Sequence, residues 1–147
     1  WDSIPLAGLR DEDPDTIFDK ILAKEIPSAI AKETDDVFAF KDINPAAPAH
    51  VLVIPKERAA TMDELSDDSA AALGRILPRL CRAVMSATGC TAYNLLQNNG
   101  AEAHQAVFHV HIHIIPRFAD GRGLGMKWNS GELVDPEQLA GAIQAAC

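Results

Sequence analysis

The sequence predicts an α+β domain in which an antiparallel sheet of about five strands packs against one long central helix and shorter terminal helices. Three observations support this prediction. Short apolar runs of strand length are bounded by turn residues, and one long segment has helical periodicity. A third segment alternates histidine with Val and Ile, which is the period of two expected of a strand.

The composition favours one globular domain. The chain has 147 residues, of which 48% are hydrophobic, so it can bury a sizeable core. Its formal net charge of −8 argues against a nucleic-acid partner, because a long nucleic-acid footprint needs a basic face to neutralise phosphates. A small anionic ligand needs only a few local donors and stays compatible with this charge.

The cysteines and the hydropathy restrict the setting of the protein. Cys81, Cys90 and Cys147 are far apart and form no CxxC pair, so neither a disulfide framework nor a zinc cage is predicted. We therefore expect a reducing compartment, the cytoplasm, with the nucleus as a second location. No apolar run reaches the length of a membrane span, so no membrane partner is expected. The chain begins at Trp1 rather than Met, which leaves a targeting segment open.

The first elements follow in order from the N-terminus. Residues 1–14 are rich in Pro, Gly, Asp and Glu and are predicted to form a flexible arm before a single domain over residues 15–147. A short helix is predicted over Thr16–Lys24, capped by Asp15 or Thr16 and ended by Pro27. Three strands are then predicted at Ala29–Glu33, Val37–Lys41 and His50–Pro55.

The second half begins with the long helix. Ser66 is expected to cap a helix that continues to Thr88 and ends at Gly89. Pro78 is expected to kink or break this helix, because proline removes a backbone hydrogen bond. Two further strands and a final helix are predicted at Tyr93–Gln97, Val107–Ile115 and Asp135–Ala146.

Histidine occupies every second position at His109, His111 and His113. Side chains alternate along a strand, so the three imidazoles are expected on one face. The first and third rings would lie about 13 Å apart, too far to share one ion through bonds of about 2 Å. Two of them could share a metal only if His50 or His104 completed the site. We predict no metal site.

Nucleophilic catalysis gives the three rings separate roles without requiring them to meet. A neutral imidazole can attack phosphorus or an acyl carbon and form a covalent intermediate. Neighbouring rings can orient the attacking ring and donate hydrogen bonds to the developing negative charge. A metal site and a polar sheet face of satisfied histidines are the alternatives to this interpretation.

The wider sequence resembles the histidine triad (HIT) family, whose motif is His-φ-His-φ-His-φ-φ, with φ a hydrophobic residue. The motif is complete at His109–Ile115. Segments that are similar to the Hint branch of this family lie at Thr16–Ile21, Glu25–Pro27, Phe40–Lys56 and Asn98–Val107. The resemblance covers most of the chain and implies the HIT-like version of the α+β fold.

The resemblance implies a hydrolase that acts at the α-phosphate of purine nucleoside phosphoramidates or related nucleotide conjugates. His111 would be the nucleophile, and a nucleotidyl-histidine intermediate would be hydrolysed to release a nucleoside monophosphate. His113 would contact the α-phosphate and its transition state, while His109 and His50 would support the nucleophile through hydrogen bonds. The implied chemistry needs no metal or other cofactor.

The resemblance also implies a nucleotide-binding set. Asp42 would accept hydrogen bonds from the ribose hydroxyls, although an Asp before Ile-Asn-Pro also suits a turn that caps its own backbone. The base slot and the phosphate contacts would involve Ile17, Phe18, Ile21, Phe40, Ile43, Asn98 and Gln105. The apolar members of this set are equally compatible with an ordinary core.

Two positions depart from the Hint pattern. His104 and Ala106 stand where that branch usually has Gly and Ser. Ala106 has no hydroxyl to contact the phosphate or the leaving group, so either that help is absent or His104 supplies it. Thr16 and Asp19 stand where some relatives have two zinc-binding cysteines, so no structural zinc is predicted.

Two other functions stay open at this point. One is a dinucleoside polyphosphate hydrolase of the Fhit type, which Asn98 in place of Gln disfavours. The other is a nucleotide-binding adaptor with vestigial hydrolysis, which Ala106 favours. Arg117, directly after the motif, is interpreted as a surface charge rather than a contact to a distal phosphate.

The family commonly forms homodimers, and the resemblance implies the same here. The interface would lie on the helix that begins at Ser66 and on the strand near Tyr93. Neither the physiological leaving group nor a preference for adenine over guanine follows from the residues.

Overall fold

A five-stranded antiparallel sheet organises residues 16–147, which are the residues described by this computed structural model. The predicted arm over residues 1–14 lies outside the described residues. The strands are β1 (Ile30–Glu33), β2 (Val37–Lys41), β3 (Val51–Pro55), β4 (Ala92–Leu96) and β5 (Ile112–Arg117). Their order in the sheet is β1-β2-β3-β5-β4, and every neighbouring pair is antiparallel. The predicted α+β fold with about five strands is confirmed.

Three helices accompany the sheet: α1 (Ile17–Leu22), α2 (Asp67–Thr88) and α3 (Pro136–Ala146). Single 3₁₀ turns lie at Met62–Glu64 and Ala101–Ala103. Within the described range, no helix combines the length and the apolar character needed to cross a membrane.

The sheet separates two apolar clusters. Val37 and Ala39 of β2 point to the face covered by α2, whereas Phe38 and Phe40 point to the face covered by α1. Both β2 and β3 are therefore buried on both faces, which explains their unbroken apolar runs. The face covered by α1 carries the histidine site described below.

Helix α1 begins with a reciprocal capping box. The Thr16 hydroxyl accepts from the Asp19 backbone N–H, and the Asp19 carboxylate accepts from the Thr16 backbone N–H. Thr16 is thus the N-cap. The helix ends at Leu22 rather than at Lys24, because Lys24 has a positive φ of 61° that cannot continue it.

Helix α2 begins and ends as predicted, with Ser66 capping Ser69 N–H and Gly89 in the left-handed region at φ 74°. Of the two expected effects of Pro78, the break is wrong, because helical residues continue unbroken from Asp67 to Thr88, and the kink stays a prediction. The apolar face on both sides of Pro78 packs on the sheet and holds the two halves together.

The histidine segment is shorter as a strand than predicted. β5 starts at Ile112, so His109 and His111 lie in an irregular stretch before it, and the strand continues to Arg117. Among residues 16–147, the segment before β5 does not pair with a neighbouring strand at this point. Instead, the Val110 N–H donates to the carbonyl of Ala59 in the loop after β3. The prediction of one straight strand over Val107–Ile115 is therefore wrong at its beginning.

Candidate active site

Four histidines come together beside the face covered by α1, three from one short segment and His50 from a distant part of the chain. His50 directly precedes β3, and His113 lies in β5 opposite Leu52 of β3. His109, His111 and His113 together with His50 are all buried, each with at most 4% of its surface exposed. We call these four residues the histidine row.

Three rings of the row, those of His50, His113 and His111, are evenly spaced. The centroids of His50 and His113 are 5.1 Å apart, and those of His113 and His111 are also 5.1 Å apart. Phe18 of α1 lies beside both His111 and His109, with ring centroids 5.0 Å and 6.1 Å away and its ring nearly perpendicular to both. His111 is thus a middle member of the row, with Phe18 of α1 and His113 of β5 as ring neighbours.

Hydrogen bonds assign the protons on His50 and His113. His50 Nδ1 accepts from the Ala46 backbone N–H at 3.0 Å, so a neutral His50 carries its proton on Nε2. That Nε2 lies 2.9 Å from His113 Nδ1 and donates to it. His113 therefore accepts at Nδ1, and its own proton is on Nε2.

His111 has the opposite arrangement. Its Nδ1 lies 2.7 Å from the backbone carbonyl of His109, and a carbonyl can only accept, so Nδ1 carries the proton. The neutral ring therefore keeps an unprotonated Nε2, the form that an attacking imidazole needs. The acceptor belongs to the main chain and does not depend on the side chain of His109.

His109 is held differently from the other three. Its Nε2 donates to the carbonyl of Pro55 at 2.8 Å, which leaves Nδ1 without a proton. Nδ1 is buried without a hydrogen-bond partner among the described residues and faces the Asp19 carboxylate at 3.8 Å. Burial lowers the pKa of His109 despite the opposing effects of the Pro55 hydrogen bond and the Asp19 charge.

Asp42 both caps a turn, as one interpretation of the sequence predicted, and lies beside the histidine row. One carboxylate oxygen accepts from the Asn44 backbone N–H at 2.8 Å, which is the turn-capping contact. The other oxygen lies 3.5 Å from His50 Nε2. With 4% of its surface exposed, Asp42 belongs to the buried site.

Asp42, His50 and His113 form the cluster of potential metal ligands found among residues 16–147, with ligand atoms within 4.8 Å of one another. A metal bound there would displace the proton that joins His50 to His113. Hydrogen bonds already explain the close approach of the three groups. The absence of a metal at this cluster stays a prediction.

The loop before β5 contains the remaining predicted polar residues. The Gln105 side chain is buried, accepts from Gly100 N–H and donates to the carbonyls of Ala60 and Val107. These three contacts to main-chain groups show that the Gln105 side chain holds the loop together, and the predicted place of Gln105 beside the phosphates stays a prediction. The Asn98 side-chain amide donates to the carbonyl of His104 over a long distance of 3.5 Å.

The two departures from the Hint pattern lie in the same loop. His104 is exposed and adopts a left-handed backbone at φ 69°, so its side chain is not packed into the row. Ala106 is partly buried two residues later. No contact within the described residues joins the His104 ring to the histidine row.

The predicted base slot divides into two groups. Phe18, Ile21 and Phe40 are almost fully buried and belong to the apolar cluster under α1, so they are core residues in this structure. Ile17 is partly buried and Ile43 is 60% exposed. These two are the members of the predicted slot that a ligand could reach.

The contacts around His109 were not predicted from the sequence. Asp19, which also lies 3.8 Å from Arg58, was noted only as a position without a zinc-binding cysteine. The carbonyl of Pro55 and the N–H of Ala46 are main-chain groups, which leave no trace in residue identity. The capping pattern at Thr16 was the one signal that could have placed Asp19 at the start of α1.

Comparison with known proteins agrees with this geometry. The HIT domain family matches residues 23–120, which is more than half of the chain. The chain belongs to the HIT family. A protein of Schizosaccharomyces pombe named adenosine 5'-monophosphoramidase hnt1 is 50% identical over 123 residues, covering 84% of this chain and 89% of that protein.

Solved structures give the same assignment. A HIT family member from Bacillus subtilis matches with a TM-score of 0.85 and 36% identity, over 90% of this chain and 97% of that one. A histidine triad nucleotide-binding protein from Candida albicans matches with a TM-score of 0.76 and 37% identity, over 90% and 94% of the two chains. The HIT motif of this chain is therefore set in the family's own fold.

Proposed function

We propose that this HIT protein hydrolyses purine nucleoside phosphoramidates or related nucleotide conjugates at the α-phosphate and releases the nucleoside monophosphate. The observation that carries the proposal is the proton assignment on His111. Its Nδ1–H donates to a main-chain carbonyl, so Nε2 is the unprotonated nitrogen of this middle member of the row. The relative named adenosine 5'-monophosphoramidase supports the same reaction class.

The reaction proceeds in two displacements at phosphorus. His111 Nε2 attacks the α-phosphorus and forms a P–N bond, while the bond to the leaving group breaks and its electron pair departs with that group, which takes up a proton. Water then attacks the nucleotidyl-histidine and gives up a proton. The P–N bond to His111 breaks, and the ring regains its lone pair.

His113 stabilises the charge that develops at phosphorus. Its proton is on Nε2, because Nδ1 accepts from His50, so the ring presents an N–H donor to a phosphate oxygen. His50 is held in turn by the Ala46 N–H. His109 supports the site through its carbonyl, which fixes the proton on His111.

The nucleotide is bound by residues around the row. Asp42 accepts hydrogen bonds from the ribose hydroxyls, since an ionised carboxylate is an acceptor with about four lone-pair sites. Ile17 and Ile43 contact the base, and Asn98 contacts the phosphate end. Neither of the two other functions considered, dinucleoside polyphosphate hydrolysis and a catalytically vestigial adaptor, gains comparable support from the relatives.

The nucleophile assignment is tested by comparing the wild type with His111→Ala on an adenosine 5'-phosphoramidate. We expect the release of AMP to fall by at least about 10³-fold, because loss of a nucleophile removes the covalent route. Thermal unfolding at the same pH serves as the folding control. Near wild-type turnover by a folded His111→Ala variant contradicts the proposal.

The covalent intermediate gives a second readout that also separates an enzyme from an adaptor. Substrate labelled with ³²P at the α-phosphate, quenched under denaturing alkaline conditions, should leave label on the wild-type chain and none on His111→Ala. Slow turnover without any labelled chain would favour the adaptor.

We propose that the protein forms a homodimer through β4 and α2. β4 is an edge strand of the sheet, and its Tyr93 and Leu95 side chains are 39% and 49% exposed, a combination that favours pairing with another copy. Light scattering should give twice the chain mass of 15.8 kDa. A monomer at micromolar concentration contradicts this proposal.

The proposed location is the cytoplasm, with the nucleus as a second compartment. Support comes from Cys81, Cys90 and Cys147, which are all free thiols. Retention of the full-length protein in a secretory compartment would contradict this location.

A further inference from the structure

Three buried groups share a single proton at the His50 end of the histidine row, which we call the inner end. The Asp42 Oδ2, His50 Nε2 and His113 Nδ1 atoms lie within 4.8 Å of one another. Because the Ala46 N–H occupies His50 Nδ1, the one proton of neutral His50 lies on Nε2. Both of the other two atoms can accept that proton.

The two acceptors compete on unequal terms. His113 Nδ1 has the better distance, 2.9 Å against 3.5 Å for the Asp42 oxygen. The carboxylate carries a negative charge, which makes it the stronger acceptor when the geometry allows. The proton on His50 is therefore placed so that a change at Asp42 alters its hydrogen bond to His113.

We propose that Asp42 is a positioning residue that couples ribose binding to the His50–His113 pair. The inference rests on the proposed function, in which Asp42 accepts from the ribose hydroxyls. Two hydroxyls that donate to the carboxylate occupy its lone pairs and weaken it as an acceptor for His50. The His50 Nε2–H is then committed to His113 Nδ1, which keeps the His113 proton on Nε2.

This coupling makes the ribose part of the chemical step. A substrate that lacks both hydroxyls leaves the carboxylate competing for the His50 proton, so His113 is less firmly held in the donor form. The loss then appears in the maximal rate of leaving-group release as well as in KM. A carboxylate that only gripped the ribose would change KM and leave the maximal rate unaltered.

The test compares two phosphoramidates with the same base and leaving group, one with a ribose and one with a 2',3'-dideoxyribose, under saturating single-turnover conditions. We expect the wild type to release the leaving group about tenfold more slowly from the dideoxy substrate, a change of about 1.4 kcal/mol in the barrier. Equal maximal rates for the two substrates overturn the inference.

Asp42→Asn supplies the decisive variant. Its amide oxygen can keep the Asn44 contact, which turns the NH₂ group towards His50 and removes the competing acceptor. We expect KM for the ribose substrate to rise and the rate ratio between the two substrates to fall to within about twofold. A tenfold ratio that persists in Asp42→Asn also overturns the inference.

Ile43→Ala is the matched control. Ile43 is the exposed neighbour of Asp42 and has no part in the proton arrangement. Its truncation should raise KM for both substrates and preserve the tenfold ratio of maximal rates. A ratio that collapses in this variant as it does in Asp42→Asn would count against the inference.

Ring ¹⁵N shifts of His113 give a readout that a purely structural role would not move. Binding of AMP should increase the fraction of the ring protonated at Nε2, and dideoxy-AMP should not; identical spectra with the two ligands overturn the inference. Failure of the proposed function is a different result, because the wild type would then release no AMP from either substrate.

Discussion

The two ends of the histidine row both place a histidine beside a carboxylate, yet the contacts differ in kind. At the inner end, Asp42 lies 3.5 Å from the nitrogen of His50 that carries a proton. At the His109 end, which we call the outer end, Asp19 lies 3.8 Å from the His109 nitrogen that carries no proton. The inner carboxylate faces a donor, and the outer one faces a lone pair.

The difference shows which side chains carry the chemistry. His50 acts on His113 through its own ring, so its contribution is lost when that ring is removed. His109 acts on His111 through its carbonyl, a contribution that survives any substitution of the side chain. The inner end should therefore control the rate, while the outer ring should mainly control stability.

Removal of the inner ring should have the largest effect. In His50→Ala, the Ala46 N–H and His113 Nδ1 lose their shared partner, so the donor that keeps the His113 proton on Nε2 is removed. We expect kcat for an adenosine 5'-phosphoramidate to fall about 100-fold, the order found when a donor that stabilises developing charge is lost.

Steady-state kinetics over a range of pH checks this expectation. The measurement is made well below the melting temperature of the variant, so that loss of folding cannot imitate loss of catalysis. A change of less than about threefold would show that His113 keeps its donor form without His50.

Removal of the outer ring should have a smaller effect on rate and a clear effect on stability. His109→Ala leaves a cavity in a fully buried position and an unpaired Pro55 carbonyl, at a cost of about 2 kcal/mol in the free energy of unfolding. The main-chain acceptor for His111 remains, so we expect kcat to stay within about fivefold of the wild type. Urea unfolding and kinetics on the same sample measure both quantities.

The comparison between the two ends would fail if His109→Ala and His50→Ala lost similar amounts of rate. A loss in His109→Ala as large as that in His50→Ala would mean that the His109 ring acts on the reaction directly. Its Nδ1 would then need a route to the substrate that its buried position does not provide.

The fold was largely predictable from local patterns, because each element has its own signal. Thr16, Ser66 and Gly89 mark helix ends through side-chain caps or a left-handed backbone, and the structure confirms all three. The error at Pro78 has a physical source: proline predicts a lost hydrogen bond, while the packing that retains the helix comes from the sheet.

The sequence indicated which residues belong to the candidate site, but it could not show which ring nitrogens carry protons. The alternation of histidines indicated His109, His111 and His113, and the family resemblance added His50 and Asp42. Which nitrogen of each ring carries the proton depends on main-chain groups at Ala46, Pro55 and His109 itself. A residue pattern cannot show such contacts, because every residue has the same main chain.

The smallest predicted effect concerns acid stability at the outer end. Burial lowers the pKa of His109 in the folded protein below its ordinary value of 6.5, so the unfolded chain binds the proton more readily. The resulting stability is complete above pH 6.5 and is lost as the pH falls towards the folded-state pKa. We expect His109→Ala to lose less stability than the wild type between pH 7.5 and pH 5, as measured by urea unfolding at the two pH values.

Asp19→Asn sharpens the same measurement. The Asp19 charge raises the pKa of His109, against the larger effect of burial, so its removal should lower that pKa further. The variant should then lose more stability than the wild type over the same pH range. An unchanged pH dependence would mean that the partly exposed Asp19 carboxylate does not act on His109. The outer end would then hold its histidine by burial and the Pro55 carbonyl alone, while the inner end depends on a carboxylate.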